Sequence, residues 1–343
     1  MRTYFKAFVG AVAGLAIAAT AALATDIAGA GATFPYPIYA KWASAYKAQT
    51  GVGLNYQSIG SGGGIAQIKA KTVTFGASDM PLTAAQLNAG GMVQFPTVIG
   101  GEVAVYNVKG IGSGQLTLDG PTLANIFLGH IARWNDPQIK KLNPSLNLPD
   151  QAIAVVHRSD GSGTTFVFAT YLSRISGEWK ENVGAATSVD WPVGIGAKGN
   201  EGVAGNVAQT AGAIGYVEYA YAQVNHLNYA KMINKDGKTV EPSLATFGAA
   251  GSHADWNAAA GNAFYVILVD EPGADSWPIT ATTYIIMYKQ PVDSAASAET
   301  LKFFKWAYAS GDDMARSLTY VPLPDNAIKA ITASWHQIQG SGM

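Results

Sequence analysis

The chain of 343 residues contains no cysteine. This absence excludes disulfide bonds and thiolate metal sites, and it excludes an N-terminal cysteine that could carry a lipid anchor. The stability of the protein must therefore come from its buried core rather than from covalent cross-links.

Charged residues are scarce as well, at 13% of the chain, and the formal net charge is −1. A protein that binds nucleic acid or an anionic membrane carries a basic surface, so we expect neither as a partner. An anionic ligand would have to be held by local dipoles instead. The 39 glycines suit loops in which the backbone closely approaches a ligand.

Residues 7–24, close to the N-terminus, carry no charge. Arg2 and Lys6 precede this run and Ala22-Leu-Ala24 closes it, a pattern typical of a cleavable export signal. A membrane anchor is the alternative, but the run is rich in alanine and glycine rather than leucine. We predict a signal peptide over residues 1–24 and a mature protein that is soluble in the periplasm and not lipid-anchored.

The remaining chain alternates between strand-like and helix-like segments, which predicts an α/β protein with open, mostly parallel sheets. At this length we expect two domains. The predicted helices and strands are Pro35–Gly51 (helix), Val52–Ile59 (strand), a Gly-rich break at Gly60–Gly64, Ile65–Lys71 (helix), Val73–Ala77 (strand), Ala84–Asn88 (helix), Phe95–Tyr106 (strand), Gly120–Leu128 (helix), Ala152–Val156 (strand), Phe166–Leu172 (helix), Ile279–Lys289 (strand), Ala296–Ser310 (helix) and Asp325–Gln337 (helix).

Three loops of small residues open onto predicted helices: Gly31-Ala-Thr33-Phe34, Gly60-Ser61-Gly62 and Gly161-Ser-Gly-Thr164. Each could be ordinary turn chemistry. However, the start of a helix presents unpaired N–H groups and the positive end of the helix dipole, which bind anions. Three such loops together, one of them beside Arg158, predict a site for a tetrahedral oxyanion.

Two carboxylates accompany these loops. Asp160 lies two residues after Arg158, where it could brace the guanidinium group for binding. Asp79 follows a predicted strand, where ligands bind in open α/β sheets, although a turn or helix cap is the simpler interpretation. A carboxylate can accept a hydrogen bond from protonated phosphate but repels sulfate, so we hypothesise that Asp79 discriminates between them.

The sequence offers little support for an enzyme. The five histidines have no metal-binding spacing, and we predict no metal site. The motifs of a phosphate-binding P-loop and of a serine-hydrolase elbow are both absent. Gly194-Ile-Gly-Ala-Lys-Gly199 matches a dinucleotide-binding pattern, but no convincing strand precedes it. His157 should point away from Arg158 if this segment is extended.

With these residues in view, the chain resembles the periplasmic phosphate-binding proteins of the phosphate-specific ABC importer, over nearly all of the mature chain. The segments that carry the resemblance include Gly29-Ala-Gly-Ala-Thr-Phe-Pro35, Gly60-Ser61, Phe75-Gly-Ala-Ser-Asp79, Phe95-Pro-Thr-Val-Ile-Gly-Gly101, Arg158 with Asp160-Gly-Ser-Gly-Thr164, and Gly212-Ala-Ile-Gly-Tyr-Val-Glu-Tyr-Ala-Tyr221.

This resemblance implies a periplasmic-binding-protein fold, in which a two-strand hinge joins two α/β domains and the ligand lies in the cleft. Domain I would comprise residues 25–105 and 283–343, and domain II residues 106–282. The implied phosphate contacts are Thr33, Phe34 (main chain), Ser61, Asp79, Arg158, Ser162, Gly163 and Thr164, with Asp160 as a support for Arg158. The role of His157 stays open.

The predicted function is high-affinity binding of inorganic phosphate and its delivery to the permease subunits of a membrane ABC importer, without a cofactor and as a monomer. Three alternative functions are those of an extracellular phosphatase, a receptor for sulfate or molybdate, and a surface adhesion or sensing protein. Asp79 argues against a fully ionised ligand, and neither a metal cluster nor an activated nucleophile supports a phosphatase.

Overall fold

The computed structural model describes residues 26–342. The predicted signal peptide, residues 1–24, lies outside the described residues. Within 26–342, none of the helices combines the length and the hydropathy that crossing a bilayer requires.

Most of the strands form one large twisted sheet. The strands of the described chain are β1 (Ile27–Gly31), β2 (Leu54–Ser58), β3 (Phe75–Ser78), β4 (Met92–Tyr106), β5 (Thr117–Asp119), β6 (Ala154–Arg158), β7 (Ile195–Ala197), β8 (Ala213–Glu218), β9 (Asn228–Tyr229), β10 (Lys231–Ile233), β11 (Thr239–Val240), β12 (Thr280–Tyr288) and β13 (Val321–Pro322). The large sheet has the order β2-β1-β3-β12-β4-β8-β6-β7, with β9 and β13 paired to β4. Strands β11, β10 and β5 form a small separate sheet.

Helices connect these strands and cover the sheet. They are α1 (Tyr36–Thr50), α2 (Ser61–Lys69), α3 (Ala84–Gly90), α4 (Gly120–Phe127), α5 (Pro137–Leu142), α6 (Gly163–Ile175), α7 (Gly177–Asn182), α8 (Gly199–Gln209), α9 (Tyr219–Val224), α10 (Leu244–Gly251), α11 (Trp256–Gly261), α12 (Ser294–Ser310), α13 (Asp312–Ser317), α14 (Asp325–Ser334) and a 3₁₀ turn at Trp335–Gln337.

The long strand β4 divides the sheet into two halves. Its residues up to Gly101 pair with β12, and those from Glu102 onward pair with β8. We call β2, β1, β3, β12 and the start of β4 the first half, and the end of β4 with β8, β6 and β7 the second half. In both halves the outer strands are parallel, as the βαβ alternation predicts, whereas the pairs that involve β4 are antiparallel.

Both crossings between the halves lie side by side. The chain leaves the first half in β4 and returns into β12, where Thr280 pairs with Gly101 and the Glu102 N–H donates to the Ile279 carbonyl at 2.8 Å. This arrangement suits a two-strand hinge. The domain boundaries near residues 105 and 283 stay predictions, and the change of partner at Glu102 supports a hinge just before the first of them.

Helix α1 illustrates how local sequence sets a boundary and a packing face. Its buried residues Ile38, Trp42 and Tyr46 recur every four positions, so one stripe of the helix faces the core. The helix ends where Gly51 adopts a left-handed conformation with φ 80°. Both features agree with the helix predicted at Pro35–Gly51.

Two predicted helix starts were wrong by about one turn. Helix α2 begins at Ser61 rather than Ile65, so the Gly-rich segment is its first turn and not a break. These glycines are poor helix formers, but they permit close packing: a Cβ on Gly64 would lie 2.5 Å from the Gly31 Cα atom. Helix α6 begins at Gly163 rather than Phe166, because the Ser162 hydroxyl caps it by accepting from the Thr165 N–H at 2.9 Å.

Candidate anion-binding site

The predicted contact residues lie at strand ends and helix starts of both halves, and all of them are buried. Thr33 and Phe34 connect β1 to α1, Ser61 begins α2, and Asp79 follows β3. The members from the second half are Arg158 at the end of β6 and the first residues of α6, Ser162, Gly163 and Thr164.

The structure brings these two groups into direct contact. The Gly163 N–H of the second half donates to the Ser61 hydroxyl of the first half at 3.0 Å. Beside this contact, the Gly62 N–H donates to the Gly161 carbonyl at 2.8 Å. The cleft between the halves is therefore closed, and the predicted site lies inside it.

The starts of helices α2, α6 and α8 converge on this site. Their first N–H groups have no partner inside the helix and carry partial positive charge. Site residues satisfy several of them: Asp160 accepts from the Gly199 N–H at 3.0 Å, and the Thr33 hydroxyl accepts from the Asn200 N–H at 3.2 Å. These helix starts favour an anion and add to the charge of Arg158 without a cluster of basic side chains.

Arg158 is the fixed positive charge of the site, and only 3% of its surface is exposed. Asp160 holds the guanidinium through two bonds, Nε to Oδ1 at 2.8 Å and Nη2 to Oδ2 at 2.5 Å. The remaining Nη1 donates to the Thr164 hydroxyl at 3.2 Å. Burial opposes the ionised form of Asp160, but Arg158 outweighs burial and lowers the pKa of this carboxyl. The charged fork is thus pre-organised, as expected from the spacing of the two residues.

His157 takes no part in this network of side chains. Its ring stacks on Trp191 with centroids 4.7 Å apart, and its Nδ1 donates to the Arg158 carbonyl at 3.0 Å. The side chain therefore points away from Arg158, as predicted for an extended segment.

Asp79 is a buried carboxylate with an unused oxygen. Its Oδ1 has no hydrogen-bond partner, and its Oδ2 lies 3.5 Å from the Ser61 hydroxyl. Burial raises the pKa of Asp79 to about 7, although Thr283, Arg158 and Ser61 each lower it in part. The Thr283 hydroxyl lowers the pKa of Asp79 by its proximity alone, since it forms no hydrogen bond of full geometry. A ligand that brings a proton would satisfy this carboxylate, and a ligand without one would repel it.

The Ser61 hydroxyl has a defined polarity. Its oxygen accepts from the Gly163 N–H at 3.0 Å and from the Asp79 N–H at 3.2 Å. A hydroxyl oxygen has two lone pairs and one proton, so the proton of Ser61 donates, and its acceptor is Asp79 Oδ2 at 3.5 Å. Ser61 thus presents a hydrogen-bond donor inside the cleft.

Sequence reasoning missed several residues that complete the site. Asn200, the second residue of α8, bridges the hydroxyls of Thr33 and Thr164 at 2.7 and 3.2 Å. No predicted helix or strand covers residues 184–205. The glycine pattern that ends at Gly199 was weighed for dinucleotides only. In the structure it forms β7 and the start of α8.

Two tyrosines were also missed, and both link the halves to the loop after β1. The Tyr221 hydroxyl donates to the Thr33 carbonyl at 2.7 Å, which polarises the peptide group that carries the Phe34 N–H. The Tyr320 hydroxyl lies 2.6 Å from the Phe34 carbonyl and 2.8 Å from Glu218 Oε2. Tyr221 ends one of the segments that carry the family resemblance, but no sequence pattern assigned either tyrosine to the site, since their partners come from distant segments.

A second pair of buried carboxyl groups lies where the halves join. Glu102 and Glu218 face each other in the pairing of β4 with β8, and both are 0% exposed. Both Glu102 carboxyl oxygens lack hydrogen-bond partners. Burial raises the pKa of each group well above its usual value, and the nearby Asp79 charge raises both further. Within residues 26–342, no cluster of three or more His, Asp or Glu side chains is arranged to hold a metal ion.

Comparison with known proteins identifies the family. Residues 16–310 match the model of a PBP superfamily domain. A phosphate-binding protein PstS from Xylella fastidiosa strain 9a5c is 53% identical over 309 residues, which cover 90% of this chain and 84% of that protein. A phosphate-binding protein PstS from Haemophilus influenzae is 53% identical over 314 residues, which cover 92% and 93% of the two chains.

Solved structures share the fold at lower sequence identity. A high-affinity periplasmic phosphate-binding protein, crystallised with phosphate at pH 8.5, superposes with a TM-score of 0.75 at 22% identity, covering 93% of this chain and 97% of that chain. A phosphate-binding protein from Stenotrophomonas maltophilia gives a TM-score of 0.66 at 21% identity, covering 90% and 94%. The chain belongs to the PBP superfamily and, within it, to the family of PstS phosphate-binding proteins.

Proposed function

We propose that this protein is a receptor that binds inorganic phosphate in the closed cleft and delivers it to a membrane ABC importer. One observation carries the proposal. A single closed site combines a braced arginine, hydroxyls, three helix starts and one buried carboxylate with an unused oxygen. This set matches a tetrahedral anion that still carries a proton. The names of the close relatives, which are phosphate-binding proteins, support it.

The proposed contacts are the residues predicted from the sequence. The first half contributes Thr33, the Phe34 N–H, Ser61 and Asp79, and the second half contributes Arg158, Ser162, Gly163 and Thr164. Asp160 acts through Arg158, since it occupies two of the guanidinium donors and leaves the group only a narrow choice of orientation. Each half alone supplies only part of the coordination, so binding energy is available to drive closure.

Selectivity would come from Asp79. Phosphate can donate a hydrogen bond to the carboxylate, whereas fully ionised sulfate cannot and is repelled. The protein is accordingly a binding component and not an enzyme. Its ligand has to leave unchanged, and opening at the crossing of β4 and β12 would release it to the permease subunits.

The cellular setting is also part of the proposal. Export through a signal peptide over residues 1–24 would place the mature chain, as a monomer without a lipid anchor, in the periplasm. Sequencing the N-terminus of the exported protein should return Thr25 or Asp26. Light scattering of the purified protein should give the mass of one chain with and without phosphate.

Calorimetry tests the central claim. The mature protein, stripped of bound ligand, would be titrated near neutral pH with phosphate and then with sulfate. Tight one-to-one binding of phosphate without heat from sulfate is the expected result. Equal binding of both anions would keep the anion site but remove Asp79 from its role. The absence of binding for both anions would refute the proposed function.

A further inference from the structure

Asn200 occupies a singular position between the two halves. Its side chain is 0% exposed and all of its hydrogen-bonding atoms are engaged. The amide nitrogen donates to Thr33 Oγ1 at 2.7 Å and to Thr164 Oγ1 at 3.2 Å. The amide oxygen accepts from the Glu218 N–H at 2.8 Å. Its own backbone N–H donates to Thr33 Oγ1 at 3.2 Å.

The orientation of this amide follows from its partners. The backbone N–H of Glu218 can only donate, so the atom that faces it has to be the amide oxygen. The NH₂ group must then face the two threonine hydroxyls. One of these hydroxyls belongs to the first half and the other to the second half.

This orientation determines what both hydroxyls can do. Thr33 Oγ1 accepts from the backbone and from the side chain of Asn200, which uses both of its lone pairs. Thr164 Oγ1 accepts from Asn200 and from Arg158 Nη1, which uses both of its lone pairs as well. The single proton of each hydroxyl is left to donate. An anion needs donors and cannot use a hydroxyl that points a lone pair at it.

We propose that Asn200 is a positioning residue, which turns the Thr33 and Thr164 hydroxyls into hydrogen-bond donors toward bound phosphate and ties the two halves together on closure. The proposal rests on the proposed phosphate-binding function. It assigns no direct phosphate contact to Asn200 itself, because all of its polar atoms already have partners.

The variant Asn200→Asp keeps the size of the side chain and reverses its polarity. An ionised carboxylate would draw the protons of both hydroxyls toward itself and away from the ligand. A neutral carboxylic acid, formed at lower pH, can donate one hydrogen bond again. The added charge would also repel bound phosphate directly, so Asn200→Ala, which adds none, measures the positioning role by itself.

Other groups near position 200 also titrate or carry charge, so the measurement has to be relative. They are Arg158 and Asp160 at the end of β6, Glu218 on β8, Asp79 after β3, and Lys198 and Glu201 close to Asn200 in the chain. The control variant Asn206→Asp shares helix α8 and the added charge, but its amide contacts only the Gly202 carbonyl within the helix. Expressing each affinity as a ratio to wild type at the same pH removes the titration of phosphate and of the shared groups.

Calorimetric titration with inorganic phosphate at pH 8.0 and pH 5.5 decides the matter. Because two donors to a charged ligand are lost, Asn200→Asp should bind phosphate about 100-fold more weakly than wild type at pH 8.0. At pH 5.5 its affinity relative to wild type should be about tenfold higher than at pH 8.0. Asn200→Ala, which leaves the hydroxyls free to rotate, should lose less at pH 8.0 and recover nothing at pH 5.5. Asn206→Asp should bind like wild type at both values.

The outcomes separate this proposal from the proposed function. If wild type binds phosphate and Asn200→Asp binds equally well at pH 8.0, the positioning role is refuted while the function stands. If the Asp and Ala variants weaken equally at both pH values, Asn200 only fills space and the role is again refuted. If Asn200→Asp does not fold, the Ala variant decides, since wild-type affinity in that variant refutes the role. If wild type itself binds no phosphate, both proposals fail.

Discussion

Replacing Asp79 by asparagine removes the one negative charge that we propose tests the ligand for a proton. The change keeps the shape of the side chain. The amide offers an NH₂ donor where the carboxylate could only accept. Selectivity between phosphate and sulfate should therefore collapse, while the fold and the remaining donors stay in place.

The structure sets the scale of this effect. Burial raises the pKa of Asp79 from 3.8 to about 7. Returning Asp79 to its neutral form at pH 8, about one unit above this pKa, costs about 1.4 kcal/mol, or a factor of about 10. Sulfate cannot relieve this cost, because it brings no proton. Phosphate relieves it by donating a hydrogen bond.

We therefore expect sulfate affinity to rise by up to about tenfold in Asp79→Asn at pH 8, because sulfate can bind the wild type once Asp79 is neutral. Phosphate should lose one charge-assisted hydrogen bond, about 1.5–3 kcal/mol or roughly 10- to 100-fold in affinity. Calorimetry with both anions measures both changes. Asp190→Asn is a matched control, because Asp190 is exposed and its removal changes the net charge by the same amount.

The pH dependence gives a second and independent test of Asp79. Below pH 7 its carboxyl becomes neutral, because its pKa of about 7 is raised above the usual value. Wild type should then bind sulfate more tightly at pH 6 than at pH 8, whereas Asp79→Asn should show no such trend. A variant that ignores sulfate at every pH would refute the assignment of Asp79 as discriminator.

Three further predictions concern the fork, the cleft wall and the buried acids. Arg158→Ala should weaken phosphate binding about 100-fold, because a buried charged hydrogen bond is lost and Asp160 is left unpaired. An unchanged affinity in calorimetry would contradict the proposed contact. Gly62→Val should hinder closure of the cleft, because even a Cβ at this position would lie 3.0 Å from the Gly161 Cα atom. Small-angle scattering with phosphate present should then show a more open protein. A scattering profile like that of wild type would show that the cleft tolerates the side chain. Raised carboxyl pKa values mean that the folded state holds more protons than the unfolded state, so the free energy of unfolding of the ligand-free protein should fall as the pH rises from about 5 to above 7, the raised pKa of Asp79. Glu102→Gln disrupts no hydrogen bond of the Glu102 carboxyl oxygens, so in chemical denaturation the free energy of unfolding of this variant should fall less steeply with pH. An equally steep fall would mean that Glu102 ionises freely.

Local sequence was sufficient for much of the fold. The four-residue spacing in Pro35–Gly51 and the β-branched run at Ile279–Lys289 predicted α1 and β12, because hydrophobic periodicity reflects which face of an element is buried. It was insufficient at the first turns of α2 and α6. There, glycine and hydroxyl residues are typical of loops, whereas the packing of Gly64 on β1 and the Ser162 cap make these segments helical.

Local sequence likewise predicted one part of the candidate site, and only the folded structure revealed the rest. Small-residue loops at helix starts, Arg158 with Asp160 two residues later, and Asp79 after a strand are local patterns, so the sequence by itself determined the kind of ligand and most of the candidate contacts. No local pattern assigned Asn200, Tyr221 or Tyr320 to the site. Their hydroxyl and amide groups matter only because folding places them against Thr33 and Phe34, more than 160 positions away in the chain. The tertiary structure alone decided the polarity of the hydroxyls and the burial of the acids, because both depend on which distant donors and apolar surfaces surround each group.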